Sequence, residues 1–218
     1  LLAISAYAPQ HCPDWILNGV MNDLPQPIRQ LALYLRAKSF LALGRITELI
    51  STTEATLSLS SSQNTIQDVY LYIILAHGYL YQDQLDRAYD ILLYALNLCL
   101  PKGFIAPIVE SVSSLLGLAE KCLRTYYPHL ITSIMWLHRQ LSPAWVEVHN
   151  MLTHEKICSS LTTREYQVAL AIAGGLTNQE CADRLGLSIS TVKGYLTSIY
   201  QKLHISSRKE LKSFIISA

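Results

Sequence analysis

The stretch "GLTNQECADRLGLSISTVKGYLTSIYQKL", residues 175–203, has the spacing of a helix, a tight turn and a second helix. Thr177 followed three residues later by Glu180 is a pair that forms a capping box at the start of a helix. It predicts a helix over about 178–185. Gly186 predicts the end of that helix, because glycine adopts the positive φ of a tight turn without steric strain.

Three residues in this stretch, Ala182, Gly186 and Val192, have the separations that a helix-turn-helix requires. Such a motif needs a small residue where two helices cross, a glycine in the turn, and a branched apolar residue early in the second helix. Ser188 or Ser190 is expected to cap that second helix. Its buried stripe continues from Val192 at steps of four, three and four residues through Leu196, Ile199 and Leu203.

With Val192 turned inward, the outer face of the helix over about 190–203 is small, polar and partly cationic. A major groove of DNA accepts a helix face of this kind. Asn178 and Thr191 lie near helix N-termini, where backbone N–H groups favour a phosphate. The residues expected to contact bases are Lys193, Gly194, Thr197 and Ser198. The residues expected to contact phosphates are Asn178, Ser190, Thr191, Lys202 and Arg208.

The segment "LTTREYQVALAIAGGLTNQECADRLGLSISTVKGYLTSIYQKLHISSRKEL" (161–211) resembles the C-terminal four-helix DNA-binding domain of LuxR-type bacterial transcription regulators. The motifs that carry the resemblance are LTTRE, AGGLTNQECADRLGLS, TVK, IYQKL and SSRKEL. The resemblance implies a regulator that binds double-stranded DNA as a homodimer. The dimer contact would be a fourth helix over about 207–217, through Leu211, Phe214 and Ile215. Gly194 departs from the family pattern: it costs about 1 kcal/mol of helix stability relative to alanine and removes one potential base reader.

From Pro27 to about Leu141 the apolar residues recur at three- and four-residue steps, which predicts helices and almost no strand. Breaks between helices are expected wherever turn-forming or polar residues interrupt this period, namely at Gly44, 60–65, 82–84, 101–103 and Pro128. A pair of helices is expected around 104–123 and 127–141.

The alternation of small and large residues in this region resembles a tetratricopeptide (TPR) repeat. One unit is carried by Ala76, Tyr79, Leu85, Ala88, Leu92 and Ala95, and a looser unit by Ala37, Phe40, Gly44, Ile46 and Leu49. TPR-like helices before a LuxR-type domain resemble the MalT-like regulators. That resemblance implies a nucleotide-binding module upstream of this chain.

Seven tyrosines of the helical region have two possible roles. They either line a concave surface that binds a ligand, a peptide or another protomer, or they pack between helices with the hydroxyl reaching water. Aromatic stripes on helices are ordinarily core, which favours the second role. These residues are Tyr34, Tyr70, Tyr72, Tyr79, Tyr81, Tyr89 and Tyr94.

The expected architecture is all-α, with a TPR-like antiparallel helical repeat over 1–141 and a four-helix helix-turn-helix domain over 161–218. A linker over 142–160 is expected to hold a short helix around 144–154. The first residues, "LLAISAYAPQ", lack an initiating Met and a basic region. The chain is therefore expected to be a segment of a longer protein rather than to start with a signal peptide.

Charge and cysteine usage narrow the function classes. The net charge is +1, but from residue 159 onward seven Lys and Arg residues face four Asp and Glu residues, which favours a polyanionic partner. The five cysteines form no CxxC pair and the histidines have no zinc-like spacing, so neither a metal nor a cofactor is expected. No catalytic constellation indicates an enzyme. No apolar run is long enough to span a bilayer, so a soluble, cytoplasmic protein is expected.

Two functions remain open from the residues alone. The first is a sequence-specific DNA-binding transcription regulator, controlled by a small-molecule or protein signal on its helical repeat, with the helix over about 190–203 in the major groove. The alternative is a protein-interaction scaffold whose helix-turn-helix no longer reads DNA, favoured by Gly194 and the modest charge. A salt-dependent DNA footprint would discriminate between them.

Overall fold

A computed structural model describes residues 12–59, 66–112, 114–153, 161, 163–203 and 205–217. Throughout these residues the chain forms helices joined by turns, with no strand, so the predicted all-α class is confirmed. The chain divides into two compact units, Leu1–Pro107 and Ile108–Ala218, and each is described by itself. The predicted limits at 141/142 and 160/161 differ from this division and stay a prediction about separate roles.

The first unit is a succession of helices that pack on their neighbours along the chain. A tight turn joins Gln26–Ala42 to Ile46–Leu59 and another joins Ile66–Tyr81 to Leu85–Cys99, so the two helices of each pair are antiparallel. In chain order the helices are α1 (Asp14–Leu17), α2 (Gln26–Ala42), α3 (Ile46–Leu59), α4 (Ile66–Tyr81) and α5 (Leu85–Cys99), followed by a 3-10 turn over Leu100–Lys102.

The breaks between these helices fall where the sequence predicts them. Gly44 follows α2, Asp83 follows α4 and Gly103 follows the 3-10 turn, and all three have positive φ. A positive φ points the backbone out of the helical path and so ends each helix. The predicted break at 60–65 lies outside the described residues.

The interhelical contacts of the TPR-like unit match the prediction at five of its six positions, and the sixth is wrong. Three alanines and two larger residues are buried where α4 and α5 pack together, namely Ala76, Tyr79, Ala88, Leu92 and Ala95. Leu85 is instead 44% exposed. It is the first residue of α5, so its side chain lies at the end of the helix rather than along its packed face. Gly78 lets α4 approach Leu49 and Ile50, since a Cβ at Gly78 would lie 2.6 Å from a Leu49 methyl.

The tyrosines of this unit pack mainly between helices. Tyr79 is buried, and Tyr34, Tyr70, Tyr72 and Tyr89 are half-buried, whereas Tyr81 and Tyr94 are exposed. The ring centroids of Tyr34 and Tyr70 are 5.3 Å apart, and those of Tyr72 and Tyr94 are 4.9 Å apart. These separations are typical of aromatic pairs that stabilise helix packing.

The second unit continues with a short helix and two helices that pack on each other. They are α6 (Ala106–Ser111), α7 (Leu118–Tyr126) and α8 (Ile131–Thr153). The His138 ring on α8 donates from Nδ1 to the Val109 carbonyl of α6 at 2.7 Å. Burial of this ring lowers its pKa and favours the neutral form, and the hydrogen bond to Val109 opposes part of that shift.

Two expectations for this unit are corrected. The helix predicted around 104–123 is interrupted between α6 and α7, because Leu116 and Gly117 both have positive φ and cannot continue a helix. The helix predicted to end near 141 instead runs to Thr153 without a break at Pro143. A proline removes one N–H donor from a helix, and the hydrogen bonds on both sides of it sustain α8 here.

Candidate nucleic-acid interface

Four short helices form the C-terminal part of the second unit. They are α9 (Thr163–Ala173), α10 (Asn178–Leu185), α11 (Ile189–Leu203) and α12 (Arg208–Ser217). Helix α9 is central, since α10, α11 and α12 all pack against it. It ends before Gly174 and Gly175, and it buries Val168, Ala169 and Ile172.

The start of α10 is held by the predicted capping box. The Glu180 N–H donates to Thr177 Oγ1 at 3.2 Å, and the Thr177 N–H donates to a Glu180 carboxylate oxygen at 2.7 Å. The hydrogen bonds from Thr177 lower the pKa of Glu180, because they stabilise its charged form. Gly186 ends α10 with φ +64°, in the left-handed conformation that glycine favours.

The crossing of α10 and α11 has the predicted small and branched residues at its centre. Ala182 is 1% exposed and Val192 is fully buried. Leu196, Ile199 and Leu203 continue the buried stripe of α11, as predicted from their spacing. Cys181 is also buried, which raises the pKa of its thiol to about 11 and leaves it protonated and unreactive at neutral pH.

The opposite side of α11 is exposed, and this face is called here the reading face. Its members are the exposed residues Ser190, Lys193, Gly194, Thr197 and Gln201. A Cβ placed on Gly194 would meet no atom within 4 Å, so the backbone of α11 itself is accessible there. Thr197 Oγ1 donates to the Lys193 carbonyl at 3.1 Å, which orients the hydroxyl along the helix. The face is small, uncrowded and carries one cation.

The N-terminus of α11 is a cluster of hydroxyl groups. Of the two predicted caps, Ser188 is the one that forms: its Oγ accepts from the Thr191 N–H at 3.1 Å. The same oxygen lies 2.7 Å from Ser190 Oγ and 2.7 Å from Thr191 Oγ1. Asn178, the fourth polar residue near a helix start, is half-buried at the first position of α10. Both helix starts present N–H groups and small polar side chains.

A buried carboxylate holds α11 against α9, and sequence reasoning missed it. Glu165, whose side chain is 5% exposed, accepts from Ser198 Oγ at 2.6 Å and from Lys202 Nζ at 2.8 Å. Ser198 and Lys202, which are both expected to contact DNA, therefore also have a partner within the domain. Ser198 is half-buried and directs its only proton to Glu165. Glu165 belongs to the LTTRE motif, but nothing local in that motif identifies partners more than thirty residues away.

Arg208 also has partners within the domain. Its guanidinium donates from Nη2 to the Ile172 carbonyl at 3.2 Å and to the Leu176 carbonyl. The Ile172 carbonyl lies in the last turn of α9, and the Leu176 carbonyl lies in the segment that joins α9 to α10. Arg208 thus joins α12 to α9, in addition to any contact with phosphate.

Helix α12 bears on the predicted dimer contact. Leu211 is fully buried, and α12 packs on α9, so Leu211 contributes to the core of its own domain. This corrects the expectation that Leu211 is available to a second copy. The side chains of Phe214 and Ile215 lie outside the described residues.

Residues 159–215 match the family described as bacterial regulatory proteins, luxR family. The C-terminal domain is a LuxR-type helix-turn-helix domain. The resemblance seen in the sequence and the four-helix arrangement with an exposed α11 agree with this assignment.

Curated relatives of the chain bear the names of transcription regulators. The probable transcriptional regulatory protein SgaR of Hyphomicrobium methylovorum is 41% identical over 69 residues, 32% of each chain. The transcriptional regulatory protein LiaR of Bacillus subtilis is 43% identical over 61 residues, 28% of this chain and 27% of LiaR. Both matches are little longer than the LuxR-type domain.

A third relative matches more than the LuxR-type domain. The HTH-type transcriptional regulator MalT of Serratia proteamaculans is 26% identical over 162 residues, 66% of this chain and 18% of MalT. The chain thus spans about a third or less of the length of these relatives. No solved structure gives a significant match.

Two further observations concern the described residues as a whole. Within the ranges given above, no group of three or more His, Cys, Asp and Glu residues is arranged to hold a metal ion. Over the same ranges, no helix has the length and apolar character needed to cross a membrane.

Proposed function

We propose that this chain acts as a sequence-specific DNA-binding transcription regulator, with α11 in the major groove. The observation that carries the proposal is the reading face, which is exposed along a helix whose other side is locked by a buried stripe and by Glu165. A rigid helix with a small polar face can approach base edges closely. The names of the relatives support the same function.

The residues divide into base-reading, phosphate-binding and positioning groups. Lys193 and Thr197 read bases, and Gly194 allows the backbone of α11 to come close to the groove. Asn178, Ser190 and Thr191 bind phosphates at the two helix starts. Ser198 positions α11 through Glu165 instead of reading a base.

Two cations combine a contact inside the domain with a contact to phosphate. An ammonium has three N–H donors and a guanidinium has five. Lys202 can therefore keep Glu165 and Arg208 can keep the α9 carbonyls while each donates to the DNA backbone. Their effect on affinity is independent of sequence.

Control of DNA binding is assigned to the helical part of the chain. Residues 1–141 receive a small-molecule or protein signal, and residues 161–218 bind DNA. Residues 142–160 connect these two parts. The domain binds a two-fold site as a homodimer through α12, with Phe214 and Ile215 as the contacts, since Leu211 is already buried in its own domain. The match to MalT beyond the LuxR-type domain supports a regulatory helical part.

The experiment that tests this function is selection of bound duplexes from a random pool at two salt concentrations. The chain is compared with Lys193→Ala, which removes the charge of the reading face, and with Lys212→Ala, which removes an exposed charge on α12. Lys193→Ala should lose ~1–3 kcal/mol on the enriched site and blunt its sequence preference. Lys212→Ala should retain the preference.

The alternative function makes the opposite prediction. If the chain is a protein-interaction scaffold whose helix-turn-helix no longer reads DNA, no duplex is enriched at either salt concentration. Equal losses for the two lysine variants on enriched and random DNA would also refute the assignment of Lys193 to base reading.

A further inference from the structure

The start of α7, together with the turn that leads into it, lies directly against the LuxR-type domain. This segment, residues 116–120, is called here the α7 corner. Gln167 of α9 donates from Nε2 to a Glu120 carboxylate oxygen at 3.2 Å. Gly117 lies beside the end of α10, where a Cβ on Gly117 would stand 3.2 Å from the Arg184 carbonyl oxygen and 3.5 Å from Leu185 Cα. The α7 corner therefore touches two helices of the domain.

The contact is buried on both sides. Gln167 is fully buried and Glu120 is 8% exposed. Removing a carboxylate and an amide from water is unfavourable unless they are hydrogen-bonded. The Gln167 amide supplies such a bond to one Glu120 oxygen, whereas the other carboxylate oxygen, Oε2, is buried without a hydrogen-bond partner.

The close approach leaves little room for a side chain at position 117. Leu116 and Gly117 have φ of +50° and +88°, so the chain turns sharply here. The nearest neighbour of a Cβ at Gly117 would be a backbone atom of α10, the Arg184 carbonyl oxygen, and Leu185 Cα and a Leu185 methyl carbon would follow at 3.5 Å. A flexible side chain could move aside for a larger residue, whereas the backbone of a helix cannot.

We propose that the α7 corner is a docking site for the LuxR-type domain, with the Glu120–Gln167 hydrogen bond as its specific contact. When docked, the DNA-binding domain and α7 move together as one body. Without docking, the domain is connected to α7 only through the chain that follows α8. The reading face stays exposed in the docked arrangement, so docking positions the domain without covering α11.

Helix α9 carries both the docking contact and the carboxylate that holds α11. Gln167 contacts the α7 corner, and Glu165, two residues away, holds Ser198 and Lys202 of α11. The element that binds the corner is thus the element that positions α11. The regulatory meaning of docking rests on the proposed DNA-binding function, but docking itself does not.

The test compares four forms of the full chain by ¹⁵N relaxation. In the unaltered chain, amides of α7 and of α9 to α11 should share one rotational correlation time. Gln167→Glu places two carboxylates together and should reduce the docked population about tenfold or more, giving the domain a separate, shorter correlation time. Glu120→Gln alone should stay docked, since an amide still accepts the bond. The double variant Glu120→Gln, Gln167→Glu restores an amide–carboxylate pair and should restore the common correlation time.

A second pair of variants tests the corner without changing a polar side chain. Gly117→Ala and Gly103→Ala impose a side chain at similar φ, +88° and +76°, but only the first would meet neighbouring atoms. Gly117→Ala should release the domain and Gly103→Ala should not. Separate correlation times in the unaltered chain, failure of the double variant to restore docking, or equal behaviour of the two glycine variants would overturn the proposal.

DNA binding is measured on the same samples. Because docking leaves the reading face exposed, Gln167→Glu should bind a single copy of the enriched half-site within about twofold of the unaltered chain. A change in correlation times with no DNA binding in any form would refute the proposed function and leave docking established.

Discussion

The buried carboxylate of Glu165 should set both the stability of the LuxR-type domain and the position of α11. The perturbation is Glu165→Gln, which removes the charge while keeping the shape of the side chain. Its partners are Ser198 at 2.6 Å and Lys202 at 2.8 Å, and both lie on the recognition helix.

The exposure of Glu165 and Lys202 decides how much unfolding free energy the Glu165→Gln variant loses. Breaking a fully buried ion pair costs roughly 3–5 kcal/mol, whereas an exposed pair is worth about 0–1 kcal/mol. The side chain of Glu165 is 5% exposed but that of Lys202 is 36% exposed, so water screens one end of the pair. We therefore expect Glu165→Gln to lower the free energy of unfolding of the domain by about 2 kcal/mol.

A double-mutant cycle separates the pair from its surroundings. Lys202→Met removes the ammonium but keeps most of the apolar stem. If the two groups stabilise each other, the double variant should lose less unfolding free energy than the sum of the losses of the two single variants. The expected difference is at least ~1 kcal/mol. Ser198→Ala should cost about 1.5 kcal/mol by itself, because it removes a hydrogen bond to a charged acceptor.

The assay must report on this domain alone. All three tryptophans, Trp15, Trp136 and Trp145, precede it, so tryptophan fluorescence follows other parts of the chain. Amide hydrogen exchange of α11 in increasing urea gives the required free energy. Additive losses, within about 0.5 kcal/mol, would refute a coupled Glu165–Lys202 pair.

Three further predictions concern local features. Gly194→Ala should stabilise α11 by about 1 kcal/mol, since no atom crowds the new methyl, while Gly78→Ala should destabilise α4 by ~1–3 kcal/mol through collision with Leu49. Urea unfolding would contradict this if both variants changed the free energy of unfolding in the same direction. Thr177→Ala should cost about 1 kcal/mol of α10 protection in hydrogen exchange, and an unchanged protection would exclude a role for the capping box. Burial lowers the pKa of His77 to about 4, so the unfolded chain binds its proton first as the pH falls, and the free energy of unfolding should decrease by roughly 3 kcal/mol between pH 6.5 and 4. His77→Gln should flatten that part of the curve of unfolding free energy against pH, and parallel curves for the variant and the unaltered chain would refute the prediction.

Residue spacing and turn chemistry were enough to predict α10, the turn after it and α11. The capping box at Thr177, the glycine turn at 186 and the stripe from Val192 all depend on residues within about four positions of one another. The local sequence predicts interactions of that range, because a helix brings such positions together by itself. The same reasoning predicted the helix breaks at Gly44, 82–84 and 101–103.

The errors arose where local signals competed with one another. A helix ending near 141 and a separate short helix around 144–154 were predicted on either side of Pro143, yet one missing N–H does not outweigh the hydrogen bonds of the rest of α8. Leu116 gave no sign that the chain would turn there, because leucine rarely adopts positive φ. Leu85 has the right offset for a buried contact but lies at the first position of its helix.

The residues that connect the helices were decided by tertiary structure alone. Glu165 meets partners 33 and 37 positions away, and Gln167 meets Glu120 at a distance of 47 positions. No periodicity links such residues, since their contact depends on how separate helices pack. The sequence by itself thus determined where α11 lies and which of its sides is buried, whereas only the packing of α9 against α11 decided which side chains hold that helix in place.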